Sequence, residues 1–308
     1  MNTKGGGRVL ATALLGAVCM AFGGNAAAVY VRHDVNVTVF NDLAASPQFQ
    51  AAGFFSTGCS GVLIGAGTVL TAAHCATTRK TSFGLGAERD GATTYEVASM
   101  ERHPLYSAGG NGYQYDLAIA TLAAPVAGVL PATITPANLI GREVTMVGYG
   151  GQGTGLGTSL SGATDRLAAT NTIDTTAYNL WAADFDSPAG NKSLTGGPTP
   201  TAYEGQLAGG DSGSALFWNN FLVGIGAYTF CQTSGCTSSS VYGAASLWVR
   251  LDIAANRQFI DQALLRAASV PAASAPVPVP PAGWLLGTAL VSIPLLRRGG
   301  RAAAAVHR

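Results

Sequence analysis

Apolar runs between Val35 and Val249 are short, and glycine, asparagine, proline and serine interrupt them. Val69–Ala73, Val144–Tyr149 and Phe221–Tyr228 are examples. Many short apolar runs separated by turn residues are typical of β-strands in a barrel or a sandwich. The composition agrees, because 41 of the 308 residues are glycine and only 11% are charged. This part of the chain is therefore predicted to be all-β.

One late segment follows the period of a helix instead. Within Asp252–Arg266, Phe259, Ile260, Ala263 and Leu264 recur at helical spacing, which predicts one α-helix near the end of the β-rich part. The composition then changes abruptly. Residues 268–283 are rich in alanine and proline and are predicted to form an extended linker.

Positive charge is concentrated at the two ends of the chain, whereas all 16 acidic residues lie between them. The body is therefore mildly acidic and gives no reason to expect nucleic acid as a partner. Six of the 17 lysines and arginines form the basic ends: Lys4, Arg8, Arg297, Arg298, Arg301 and Arg308.

The first 28 residues have the three parts of a secretory signal peptide. Lys4 and Arg8 are basic, Val9–Phe22 is apolar, and small residues precede a cleavage site after Ala28. A lipoprotein signal at Cys19 is an alternative, although the residue before that cysteine is a bulky valine. We therefore expect signal peptidase as a partner and export of the chain from a bacterial cell.

Four cysteines remain once the signal peptide is removed. An even number in an exported chain suggests disulfides. Free buried thiols are the alternative, and metal binding is possible in principle. No CxxC pair or histidine cluster supports a metal site, so no metal or other cofactor is expected.

Three local patterns carry residues suited to nucleophilic catalysis. They are TAAHC at 71–75, DLAIATL at 116–122 and GGDSGS at 209–214. A serine hydroxyl needs an adjacent base, and histidine is the natural base near neutral pH. An aspartate can hold the imidazole in the required tautomer, and glycines beside a serine leave backbone amides open to an oxyanion.

Together these patterns resemble the trypsin/chymotrypsin family of serine proteases, which has the same order of histidine, aspartate and serine. The resemblance extends from about Val29 to Arg266. It implies a protease domain over residues 29–267, made of two six-stranded antiparallel β-barrels divided near 130–143, with a C-terminal α-helix. It also implies a polypeptide substrate and a disulfide between Cys59 and Cys75.

The resemblance assigns roles to individual residues. Ser212 would attack the scissile carbonyl, His74 would accept its proton, and Asp116 would orient His74. The amides of Gly210 and Ser212 would form the oxyanion hole.

The resemblance also implies an activating ion pair. Asp211 would accept it from the mature N-terminus, and cleavage by signal peptidase would make Val29 that terminus. A conventional zymogen with a later cut, for example at Val31, is the alternative.

Several departures concern the substrate pocket. Gln206 stands at the base of the pocket where trypsin-like enzymes have aspartate, which argues against cleavage after lysine or arginine. Thr229 and Ser246 are the other expected pocket residues. Ala227 lacks a hydroxyl that often contacts the catalytic aspartate in this family. Cys231 lacks its usual partner, so it is predicted to pair with Cys236.

The segment 284–308 resembles the bacterial PEP-CTERM sorting signals. A proline-rich stretch, a short apolar run and Arg297–Arg298 follow one another, although no glutamate separates the prolines. The resemblance implies transient membrane association through a short hydrophobic, transmembrane-type segment and an exosortase-type enzyme as a partner. A simple membrane anchor is the alternative.

Two functions therefore compete. The first is a secreted or cell-surface serine endopeptidase that forms an acyl-enzyme. The second is a catalytically weak or inactive binding protein of the same fold at the cell surface.

Overall fold

The computed structural model describes residues 29–161, 164–195, 199–230 and 241–269. These ranges are mostly β-structure, as predicted. The two helices are α1 (Val37–Ala44) and α2 (Ala254–Ser269). The strands are β1 (Tyr30–Val31), β2 (Ala52–Phe55), β3 (Ser60–Gly65), β4 (Thr68–Thr71), β5 (Ser82–Leu85), β6 (Thr93–Arg102), β7 (Ala118–Leu122), β8 (Glu143–Gly148), β9 (Gly153–Thr154), β10 (Leu167–Thr172), β11 (Thr175–Ala177), β12 (Leu180–Asp184), β13 (Gly205–Gln206), β14 (Ala215–Trp218), β15 (Phe221–Phe230) and β16 (Ala245–Arg250).

Strands β2 to β7 form a closed antiparallel barrel in the order β2-β3-β4-β7-β6-β5. β3 and β4 are short apolar runs, and Val62, Leu63 and Leu70 are completely buried. The rings of Phe55 and Phe83 pack with their centroids 5.2 Å apart. This barrel confirms the first of the two that were expected.

The second half is a curled half-barrel rather than a closed six-stranded one. Seven strands pair in the order β10-β8-β14-β15-β16-β12-β11. Three strands of two residues each form a separate sheet, β13-β1-β9, in which β1 is antiparallel to β13 and parallel to β9. Residues 123–142 connect the two halves, and the domain boundaries drawn from the sequence stay predictions.

Helix α2 confirms the predicted C-terminal helix, and it runs two residues into the predicted linker. Helix α1 was not predicted, because eight residues are too few to show a clear helical period. Asn36 caps it by accepting a hydrogen bond from the Thr38 amide at 3.0 Å, and Phe40 is fully buried.

No helix within the described ranges is long and apolar enough to cross a membrane. The predicted signal peptide, the Cys231–Cys236 pair, residues 270–283 of the linker and the segment 284–308 lie outside the residues that the structure describes.

Candidate active site

His74 lies between two other predicted catalytic residues. Its Nε2 is 2.7 Å from the Ser212 Oγ, and its Nδ1 is 2.6 Å from a carboxylate oxygen of Asp116. The His74 amide donates to the second oxygen of Asp116 at 2.9 Å. Asp116 is completely buried, whereas the His74 side chain is partly exposed. The arrangement links a serine hydroxyl, an imidazole and a carboxylate in one hydrogen-bonded series.

His74 is positioned by a strand of the closed barrel and by the short helix that follows it. β4 ends at Thr71, and His74 follows in a short 3-10 helix over Ala73–Cys75. The disulfide between Cys59 and Cys75 is present, and it ties this helix to the residue preceding β3. The resemblance had implied this disulfide, and the structure contains it.

Ser212 lies in the turn before β14 and is tied to the barrel. The Ser60 amide donates to the Ser212 carbonyl at 2.8 Å. Gly213 has φ of +85°, and a Cβ there would lie 2.2 Å from both the Ser60 carbonyl and the Thr71 hydroxyl. Only glycine fits this backbone conformation and this close approach, so the turn presents Ser212 in one position.

Within the Gly209–Ser214 turn, the amides of Gly209, Gly210 and Ser212 donate to no backbone carbonyl of the described residues. The amides of Asp211, Gly213 and Ser214 donate to carbonyl groups within the protein. The amides of Gly210 and Ser212 are the two that the sequence assigned to an oxyanion hole, and both remain able to donate to a ligand.

Asp211 is completely buried beside the turn. Its carboxylate accepts hydrogen bonds from the amides of Gly150 at 2.8 Å, Ala208 at 2.9 Å and Val29 at 3.1 Å. Burial raises the pKa of Asp211 to about 6, and these three hydrogen bonds oppose the rise. The structure thus brings together the two residues that were expected to form the activating pair.

The predicted pocket residues lie on three neighbouring strands. Gln206 on β13 is fully buried and pairs with Tyr30 of β1. Thr229 on β15 pairs with Ser246 on β16. The Ser246 hydroxyl accepts a hydrogen bond from the amide of Leu207, the residue after Gln206, at 3.0 Å. All three therefore belong to one connected region, and none of them carries a charge.

The sequence did not assign Tyr228 to the catalytic machinery. Its ring is stacked on that of His74, with centroids 5.5 Å apart and planes 29° apart. Burial and the charge of Asp116 raise the pKa of Tyr228, and its side chain is hydrogen-bonded with Asp116 and Tyr106. The sequence pattern had placed Ala227, rather than Tyr228, beside Asp116. The pairing of β15 with β16 is irregular between Gly226 and Tyr228, and no sequence signal marked this irregularity.

Other titratable groups are separate from this series. His103 packs between Tyr115 and Phe259, and burial lowers its pKa.

A cavity of about 390 Å³ is lined partly by two acidic side chains, those of Asp186 and Glu204. Burial raises the pKa of Asp186 to about 7 and that of Glu204 to about 8. The described residues include no group of three or more histidine, cysteine or acidic side chains suited to a metal ion.

Comparisons with known proteins agree with this fold. No curated protein sequence matches the chain. Among solved structures, neuropsin, a serine protease expressed in the limbic system of mouse brain, aligns at 19% identity with a TM-score of 0.52, covering 72% of this chain and 97% of that one. A mutant of human heparin binding protein (CAP37) aligns at 21% identity with a TM-score of 0.50, covering 74% and 97%. The trypsin family model matches residues 39–247, so the chain belongs to the trypsin family of serine proteases.

Proposed function

We propose that this chain is an exported serine endopeptidase that hydrolyses peptide bonds through an acyl-enzyme. The observation that carries the proposal is the hydrogen-bonded series from the Ser212 Oγ through His74 to Asp116, with contacts of 2.7 and 2.6 Å. Both distances lie within hydrogen-bond reach, which is what proton transfer from the nucleophile to its base requires.

The reaction follows from this series. As the Ser212 Oγ bonds to the scissile carbonyl carbon, its proton passes to His74 Nε2, and Asp116 stabilises the imidazolium. The carbonyl oxygen becomes an oxyanion, which the amides of Gly210 and Ser212 bind. His74 then gives the proton to the leaving amine, which leaves an acyl group on Ser212. Water attacks the acyl carbon by the same route, which releases the acid and restores the hydroxyl.

The test is labelling with a fluorophosphonate together with hydrolysis of an unfolded polypeptide. We expect the processed chain to be labelled and to cleave the polypeptide, and Ser212→Ala to do neither. Ser99→Ala is the matched control. Ser99 is exposed on β6, so this substitution also removes a serine hydroxyl, but at a position away from the candidate active site. Processed protein that resists labelling would contradict the proposal and would favour a binding role on the same fold.

We propose that signal peptidase creates the active N-terminus at Val29. Val29 is fully buried, and its backbone nitrogen is 3.1 Å from the Asp211 carboxylate, which supports an ion pair once that nitrogen is a free ammonium. A charge there would lower the pKa of Asp211 and hold the Gly209–Ser214 turn. N-terminal sequencing of active protein should read Val29, and a start well downstream, such as Leu43, would contradict this route.

The pocket favours an uncharged residue before the scissile bond. Gln206, the residue expected at its base, is buried, and the three expected pocket residues, Gln206, Thr229 and Ser246, supply no carboxylate to pair with lysine or arginine. Peptides that differ only at this position, with alanine, leucine or arginine, test the proposal. We expect kcat/KM to be highest for an uncharged residue, and a preference for arginine would contradict it.

We propose a bacterial cell-surface or secreted location, reached through removal of residues 284–308 by an exosortase-type enzyme. The order of proline-rich stretch, apolar run and basic pair supports this. Mass spectrometry of mature protein should show loss of the segment. Retention of Trp284–Arg298 would favour a simple anchor instead.

A further inference from the structure

Strand β15 is irregular at the point where it passes the candidate active site. Gly226 pairs with Trp248 and Tyr228 pairs with Leu247, so Ala227 is an extra residue with no partner in β16. A β-bulge of this kind bends the strand and changes the direction in which the following side chain points. The bulge therefore decides which residue of β15 meets the catalytic series.

The residue that meets it is Tyr228. Its side chain is hydrogen-bonded with Asp116, the carboxylate that also accepts from the His74 amide and contacts His74 Nδ1. Because the pKa of Tyr228 is raised, the phenol stays protonated at neutral pH and is able to donate. Asp116 is thus held by two groups of His74 and by the hydroxyl of Tyr228.

The ring of Tyr228 is itself fixed. One face is stacked on His74, and Tyr113 packs against the ring edge-on with centroids 4.7 Å apart. A hydrogen bond with Tyr106 holds the hydroxyl end. Tyr113 lies in the 3-10 helix Gly110–Tyr115, which leads directly into Asp116. The same ring therefore contacts both members of the histidine–aspartate pair and the segment that positions the aspartate.

We propose that Tyr228 is a positioning residue for the Asp116–His74 pair, with its hydroxyl donating to the Asp116 carboxylate and its ring fixing the plane of the His74 imidazole. The inference rests on the proposed protease function. It assigns to Tyr228 the contact that Ala227 cannot make, because alanine has no hydroxyl. A residue that acts through Asp116 affects the rate of acylation more than the affinity for substrate.

The test compares Tyr228→Phe with the unsubstituted chain. This change keeps the ring and removes only the hydroxyl, so we expect kcat to fall about tenfold, as for a lost hydrogen bond to a charged group, with KM changed less than twofold and the chain still fully folded at the assay temperature. The rate of fluorophosphonate labelling should fall in parallel with kcat. Tyr228→Ala also removes the stacked ring, so its kcat should be lower than that of Tyr228→Phe, which keeps the ring.

Tyr178→Phe is the matched control, because it removes a phenol hydroxyl from a half-exposed ring that packs beyond Tyr113. We expect its kinetics to match those of the unsubstituted chain. An unchanged kcat in Tyr228→Phe, a rise in KM alone, or a fall in Tm that accounts for the lost activity would each overturn the positioning role. If the unsubstituted chain neither labels nor cleaves, the protease function fails first and the role of Tyr228 fails with it.

Discussion

Removal of the Cys59–Cys75 disulfide should destabilise the fold by about 3 kcal/mol. The two cysteines are 16 residues apart, and closing a loop of that length removes about 10 cal/mol/K of entropy from the unfolded chain. The loop contains β3 and β4 and ends one residue beyond His74. The perturbation is the double substitution Cys59→Ala and Cys75→Ala, made in a Ser212→Ala background so that self-digestion does not interfere.

The assay is urea unfolding followed by circular dichroism, with rates of folding and unfolding measured on the same samples. The two rates then show when the loop closes during folding: the refolding rate falls if the loop is already closed in the transition state, and the unfolding rate rises if it closes later. Cys75 is buried, so its replacement by the smaller alanine also loses packing, at a cost of about 1 kcal/mol or less. We expect this smaller loss to make unfolding faster.

The double variant is also measured with and without a reductant, which isolates any contribution from the remaining cysteines. A loss of stability below about 1 kcal/mol would refute the reasoning, since the entropy of a loop of this length should exceed it.

Three further predictions follow from the site. Asp116→Asn should lower kcat about 10⁴-fold while the fold stays intact, because the imidazole is then held in the wrong tautomer, and initial rates measure this. Gly213→Ala should cost about 2 kcal/mol or more in urea unfolding, because its φ is +85° and the new Cβ would meet the Ser60 carbonyl; equal stability would contradict the close approach. The pKa of Glu204 is raised to about 8, so the protonated form is favoured in the folded state, and stability should fall by about 3 kcal/mol between pH 5 and pH 8. Glu204→Gln, which does not titrate, should reduce that slope in the same unfolding assay.

The candidate catalytic residues were predictable because each lies in a local pattern whose chemistry depends on residue type. A histidine after an apolar strand, an aspartate before another, and a serine between glycines are visible without any knowledge of packing. Their convergence depends on the barrel, yet the order along the chain was enough to identify the family. The short strands were likewise visible, since apolar runs and turn residues are local properties.

The remaining features depend on pairing between distant strands. The bulge at Ala227 arises from how β15 meets β16, and the residues on either side look like any apolar strand. In the second half, β1 pairs with β13 and with β9 in a sheet separate from the larger one, and no local pattern reveals these pairings. Helix α1 rests on a cap at Asn36 and on burial of Phe40 rather than on a repeated apolar spacing.

The two-residue strand β1 makes two parts of the molecule thermodynamically interdependent. Val29 contacts the Asp211 carboxylate at its start, and the next residue, Tyr30, is hydrogen-bonded in register with Gln206. By reciprocity, any ligand that binds more tightly when β1 is docked must strengthen the docking of β1 by the same factor. If substrate binds at the proposed pocket beside Gln206, its affinity and the stability of the docked N-terminal segment therefore report the same coupling free energy.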